Sequence, residues 1–155
     1  MHMRGNSFLI PNSSFLIMKL LRPINVAFTA LIQILIYWCV IVPTLTSFGV
    51  ISTTPSWVIL CAIVATSLIC AGGYVINDYF DVKIDRINRP DRVIVTNTMS
   101  KAEAMRLYQI VTGIGIVCGL ASAFYLRSIT LGMIYVIVPG MLWFYSSSYK
   151  RQLIV

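Results

Sequence analysis

"NDYFDVKIDRINRPDR", Asn77–Arg92, carries four of the chain's five acidic residues and follows directly on "WVILCAIVATSLICAGGYVI", Trp57–Ile76, twenty residues without a charge. That juxtaposition decides the fold. An α-helix crosses the ~30 Å hydrocarbon core of a bilayer with about 20 residues. Further uncharged runs of that length lie at about Ile24–Phe48, Leu107–Leu126 and Ser128–Tyr149. Lipid offers the backbone no outside hydrogen-bond partner, so each run is expected to be helical. The chain has 155 residues, 58% hydrophobic and 11% charged, with a mean hydropathy of +0.84, more apolar surface than a soluble domain of this size can bury. The fold class is an all-α membrane protein with four transmembrane helices, about 24–48, 57–76, 107–126 and 128–149.

The net charge of +7 raises nucleic acid as a partner, and the placement of the charges argues against it. Arg4, Lys19 and Arg22 precede the first span, and the stretch between spans one and two has no basic residue. Lys83, Arg86, Arg89, Arg92 and Lys101 lie between spans two and three, Arg127 between three and four, and Lys150 and Arg151 after four. Basic residues alternate with the crossings, as the positive-inside rule requires. Both ends and the loop 77–101 are therefore expected to face the cytoplasm, in an inner or cytoplasmic membrane.

Cys39, Cys61, Cys70 and Cys118 all fall inside spans with no CxxC pair, and read as small apolar packing residues. His2 is the only histidine, which excludes His-based metal sites and Ser/His/Asp triads. The first 25 residues show no cleavable signal pattern. Met18 opens "MKLLRPIN", so residues 1–17 read as an N-terminal extension and 18–155 as the membrane domain.

Pro23 and Pro55 stand at helix starts, where a missing N–H costs little. Ser100-Lys-Ala-Glu103 has the capping-box form, so span three is expected to begin as a helix near Ser100, outside the membrane. Gly113, Gly115 and Gly119 include a GxxxG pair, and Gly72-Gly73 lies one turn before the acids; both suit close helix–helix contact. Pro139 is expected to kink span four.

Asp78, Asp81 and Asp85 stand at i, i+3 and i+7, which puts three carboxylates on one helical face with Asn77 at its edge. Like charges at a membrane boundary need a cationic partner. Two arrangements supply one. Lys83, Arg86 and Arg89 can pair with the acids as a solvated helix end, or a divalent metal can sit among them. The helix C-terminus already disfavours negative charge, which weighs towards the metal. Oxygen donors without His or Cys suit Mg²⁺ or Ca²⁺. Mg²⁺ takes one or two carboxylates and fills its shell with waters and phosphate oxygens.

"NDYFDVKID" has the form NDxxDxxxD and resembles the first aspartate-rich motif of the UbiA superfamily of intramembrane prenyltransferases. "LRPIN" at Leu21–Asn25 is similar to that family's approach to its first span, "IDRINRPDRVIVTNTMSKAEA" to its post-motif loop, and "YSSSYKR" at Tyr145–Arg151 to the end of its fourth span. The resemblance covers Met18 to the C-terminus in the family's order. It implies the N-terminal half of a bundle of about nine helices, and a Mg²⁺-dependent transfer of a polyprenyl group from its diphosphate to an acceptor. Carried over residue by residue, Asp81 and Asp85 are implied metal ligands, supported by Asp78 and Asn77. Asn25 would line the cavity, and Lys150 with Tyr145 or Tyr149 would face it. Arg86, Arg89 and Arg92 would meet the diphosphate. Tyr74, Tyr79, Phe80, Trp143 and Tyr145 are candidates for an aromatic surround of an allylic cation, or for an interfacial belt.

The wording of "IDRINRPDR" is closest to members that prenylate a geranylgeranylglyceryl phosphate, which implies geranylgeranyl diphosphate as donor. Quinone-precursor enzymes with aromatic acceptors share the framework. The family carries a second aspartate-rich motif in its second half, and after Asp91 this chain has one acid, Glu103. The expectation is therefore a truncated enzyme, or a four-span chain that self-associates to present two acidic faces. The alternative is a non-catalytic four-helix scaffold or a divalent-cation-binding membrane protein. A transporter would need ionisable residues at mid-membrane, and the spans contain none.

Overall fold

The computed structural model describes residues 13–88 and 93–149. A short helix α1 (Ser13–Leu21) leads into α2 (Pro23–Ile36), which passes through a π turn at Tyr37–Ile41 into α3 (Val42–Ser47). There follow α4 (Ser56–Asn88), α5 (Lys101–Tyr125) and α6 (Ile129–Phe144), the last ending in a π turn at Tyr145–Tyr149. Among the described residues, four helical stretches are long and apolar enough to cross a membrane: Pro23–Ser47, Ser56–Asn88, Lys101–Tyr125 and Ile129–Ser148. The chain is an all-α integral membrane protein.

The first span is one rod with a widened turn. Pro43 lacks the N–H that would reach the carbonyl of Cys39, and its ring crowds that carbonyl; the π turn just before it makes room. Pro139 lies inside α6.

The second span runs further than its apolar sequence. At 33 residues, α4 extends for about 50 Å, some 20 Å more than a bilayer core needs. The stretch 77–85, whose acids the spacing put on one helical face beyond the apolar run, does continue the helix, which runs on to Asn88. The reason is tertiary. Val75 and Val82 of α4 are buried with Leu20 of α1, Val93 and Val95 of the following loop, and Ala104 of α5. This core forms a cap at the acidic end of the bundle, and the carboxylates stand on the helix that it anchors. A second core, around Ala65, Ile69 and Tyr135, ties α4 to α6 deeper in the apolar zone.

The helices approach closely at glycine. A Cβ on Gly115 would stand 3.1 Å from the Ala65 carbonyl oxygen, one on Gly119 would overlap the Tyr135 ring, and one on Gly72 would overlap Thr112 Oγ1. Around Gly113 there is nothing within 4 Å. Both glycine pairs singled out in the sequence therefore contain true contact positions.

The α5 cap is a complete capping box. Ser100 Oγ accepts from the Glu103 N–H at 3.2 Å, and the Ser100 N–H donates to Glu103 Oε2 at 2.8 Å. Replacing an N-cap serine by alanine costs about 1 kcal/mol. Ser100→Ala is thus expected to speed amide exchange at residues 101–104 about fivefold, read by hydrogen-exchange mass spectrometry, while exchange in the middle of α5 stays unchanged.

Candidate active site

The acidic face of α4 lines a cavity of about 630 Å³ at the capped end of the bundle. Asn77, Asp78, Asp81 and Asp85 form one wall, Lys19 and Arg22 another, and Val93–Val95 a third. The helical register predicted for the three acids therefore converges them on one space. Asp81 is the most enclosed, 7% exposed, and accepts a hydrogen bond from Asn77 Nδ2 at 2.8 Å. Asp78 is paired instead with a cation, its Oδ1 2.8 Å from Arg22 Nη2.

Arg22 also lies 4.9 Å above the centre of the Tyr74 ring. Asp78 and Tyr74 are four residues apart on α4, so one guanidinium spans a carboxylate and an aromatic face on the same side of the helix. The Asn25 side chain lies beside the Tyr74 hydroxyl.

A second cavity, of about 560 Å³, runs into the apolar zone between α2, α4 and α6. Ile69, Tyr74, Val138, Leu142 and Tyr145 are among its walls. Arg22 and Asn77 line both cavities, so the polar chamber and the apolar channel meet at these two side chains. An amphiphile with an anionic head and a hydrocarbon tail has the matching shape and polarity.

Several expected roles fall elsewhere. Arg86 donates to Thr96 Oγ1 at 2.7 Å, and is not among the residues lining the polar cavity. Arg86 thus pins the loop that carries Val93–Val95, where Thr96 holds a left-handed backbone at φ 81°. Tyr79, Phe80 and Trp143 form an edge-to-face chain with centroids 5.1 and 5.5 Å apart, and Tyr108 lies against Trp143. Of the five candidate aromatics, Tyr74 and Tyr145 reach the channel and the other three pack helices together. Arg89, Arg92 and Lys150 lie outside the described residues, as does the side chain of Tyr149.

Sequence reasoning did not single out Lys19 and Arg22 as site residues. Their signal was present: two cations at i, i+3, one of them inside the quoted "LRPIN", immediately before a span.

Among the described residues, no group of three or more His, Cys, Asp or Glu side chains is close enough to hold a metal by itself. The donor set still fits Mg²⁺, which needs only one or two carboxylates when phosphate oxygens and waters complete the shell. Asp81 and Asp85, one helical turn apart on the same cavity wall, are of that kind.

Residues 38–155 match the UbiA prenyltransferase family, and the chain belongs to it. Its relatives include digeranylgeranylglyceryl phosphate synthases. That of Sulfurisphaera tokodaii is 32% identical over 94 residues, 61% of this chain and 32% of the relative. That of Methanoculleus marisnigri is 59% identical over 51 residues, 33% of this chain and 18% of the relative. A solved structure described as "Structural and mechanistic insights into the biosynthesis of Digeranylgeranylglyceryl phosphate synthase in membranes" superimposes with a TM-score of 0.68 at 28% identity, covering 88% of this chain and 44% of that one. The chain thus spans less than half the length of each of these proteins. The family match begins at Trp38, so Lys19, Arg22 and Asn25 precede it.

Proposed function

We propose that this chain forms the donor-binding part of a Mg²⁺-dependent prenyltransferase that moves a polyprenyl group from its diphosphate to a glycerophosphate lipid. The observation that carries this reading is the union of an acid- and cation-lined chamber with an apolar channel at Arg22 and Asn77. The chamber suits the diphosphate and the channel the isoprenoid tail. Geranylgeranyl diphosphate is the donor favoured by the relatives' names.

In the reaction, the allylic C–O bond breaks and its electron pair leaves with the diphosphate. An acceptor hydroxyl oxygen bonds to the freed carbon, and its proton leaves to water at the polar chamber. When bound, Mg²⁺ would supply positive charge at the leaving group. Asp81 and Asp85 would hold it, with Asp78 and Asn77 adjoining. Lys19 and Arg22 place cationic donors on the same chamber, where they can donate to diphosphate oxygens. Tyr74 and Tyr145 offer ring faces to the developing cation. The apolar channel keeps water from that carbon. Arg89, Arg92, Lys150 and Tyr149 remain candidate contacts on the strength of the motif match. The chamber and the loop that follows α4 would face the cytoplasm, where the basic residues accumulate.

The test uses the full chain as its gene encodes it, reconstituted in liposomes with geranylgeranyl diphosphate and geranylgeranylglyceryl phosphate. The expected result is an ether-linked product, seen by mass spectrometry, that disappears with EDTA and returns with Mg²⁺. Product formation indifferent to EDTA would remove the metal from the reading. Transfer to an aromatic acid but not to the glycerophosphate would replace the acceptor.

A further inference from the structure

Arg22 stands where chamber and channel meet, and its geometry is unusual in three respects. Its backbone is left-handed, φ 49° and ψ 62°, although it is not glycine. Such a conformation persists only where the surroundings hold it, and it recurs at ligand-binding sites. Its guanidinium is bonded to Asp78, a carboxylate of the acidic face. The same guanidinium rests on Tyr74, a neutral ring on the channel side. The Arg22 side chain is 43% exposed, so its ion pair with Asp78 is open to exchange.

We propose that Arg22 is a positioning residue that neutralises Asp78 before substrate binds and turns to the diphosphate once a divalent cation takes its place, with the Tyr74 ring as the pivot. The inference rests on the metal-and-diphosphate reading above and adds an exchange of partners to it. Asp78 cannot serve a guanidinium and a divalent cation equally well. A cation arriving at the acidic face weakens the Arg22–Asp78 pair by competing for the carboxylate and by repelling the guanidinium. The diphosphate that arrives with it offers oxygen pairs suited to a planar, bidentate donor. Stacking on Tyr74 needs no partner charge, so it survives the exchange and keeps the side chain at the junction.

The arrangement makes Arg22 act in opposite directions on two ligands. It competes with metal alone and cooperates with metal plus diphosphate. An ion pair closed about nine-tenths of the time would weaken the binding of metal alone about tenfold. A residue that merely supported the fold would move both affinities the same way.

The experiment measures Mn²⁺ binding by electron paramagnetic resonance on the full chain in nanodiscs, with and without inorganic pyrophosphate. Arg22→Ala is expected to bind Mn²⁺ alone about tenfold more tightly than the wild type and to lose most of the tightening that pyrophosphate brings. Arg22→Lys keeps the charge without the fork and should fall between. Unchanged or weaker Mn²⁺ binding in Arg22→Ala would overturn the proposal. Should that variant not fold, Tyr74→Leu keeps both charges and removes the pivot. It is expected to lose pyrophosphate tightening while Mn²⁺ alone binds within about twofold of wild type, and retained tightening would overturn the proposal. A wild type that binds no Mn²⁺ under either condition would sink the metal-dependent reading together with this one. Wild-type binding with unaffected variants would sink only the exchange.

Discussion

Asp81→Asn is expected to lower prenyl transfer by about 10²–10³-fold without unfolding the protein, the range seen when a preorganised electrostatic partner of a developing charge is removed. Asp81 is the most enclosed of the three acids, 7% exposed, and its Oδ2 receives the Asn77 amide at 2.8 Å. An asparagine in its place keeps the shape and one carbonyl oxygen to accept that hydrogen bond, so the local packing should survive. What is lost is the full negative charge on the wall that would hold Mg²⁺. Removing a buried charge without leaving a void separates chemistry from folding. Glu103→Gln provides the control, because Glu103 belongs to the α5 cap and is not part of the chamber wall. It should alter turnover less than about twofold, because glutamine keeps a side-chain oxygen that can accept from the Ser100 N–H in the capping box. The measurement is kcat/KM for the donor at saturating Mg²⁺, with unfolding midpoints recorded for both variants. Equal activity of Asp81→Asn and wild type would mean that the acids serve topology rather than chemistry.

The sequence showed the membrane spans and the acidic face because both depend on local periodicity. An uncharged run has few ways to exist other than as a helix in lipid, and i, i+3, i+7 has one geometric meaning on a helix. The α5 start at Ser100 was equally legible, since a capping box is a four-residue signature. What was not legible depends on contacts between distant residues. The continuation of α4 to Asn88 follows from Val82 packing on Leu20, Val93 and Val95, which no local pattern announces. Arg22 reaches Asp78 across 56 positions of sequence. Arg86 sits in the motif region, yet Thr96 claims its guanidinium. The aromatic residues stayed open between two roles for a related reason: composition shows that rings are available but not which helix they face. Phe80 and Trp143 proved to join helices, whereas Tyr74 and Tyr145 met the channel.

Gly119→Leu is expected to displace α6 from α5 and remove most of the folded protein, whereas Gly113→Leu, six positions earlier on the same helix, should change stability by no more than ~0.5 kcal/mol. The contrast follows from what stands opposite each glycine. A Cβ at 119 would overlap the Tyr135 ring, and Tyr135 is itself 7% exposed and packed with Ala65 and Ile69. A ring this enclosed can yield little, so the helices must separate. Overpacking of a well-filled core costs about 1–3 kcal/mol, and a whole leucine side chain at a ring contact belongs at the upper end. At 113 an added Cβ meets nothing within 4 Å, so the substitution forces no described helix aside. The consequence reaches the site, because α6 and its terminal π turn carry Val138, Leu142 and Tyr145 into the channel wall. The check is the height of the monodisperse peak on size-exclusion chromatography after heating in detergent. The coupling is tested by adding Tyr135→Ala, which removes the ring and should recover much of the loss in Gly119→Leu while destabilising the parent on its own. Contacting residues show such non-additivity, and distant ones do not. Purely additive losses would mean that Gly119 and Tyr135 do not meet, and that α6 is seated on α5 by some other contact.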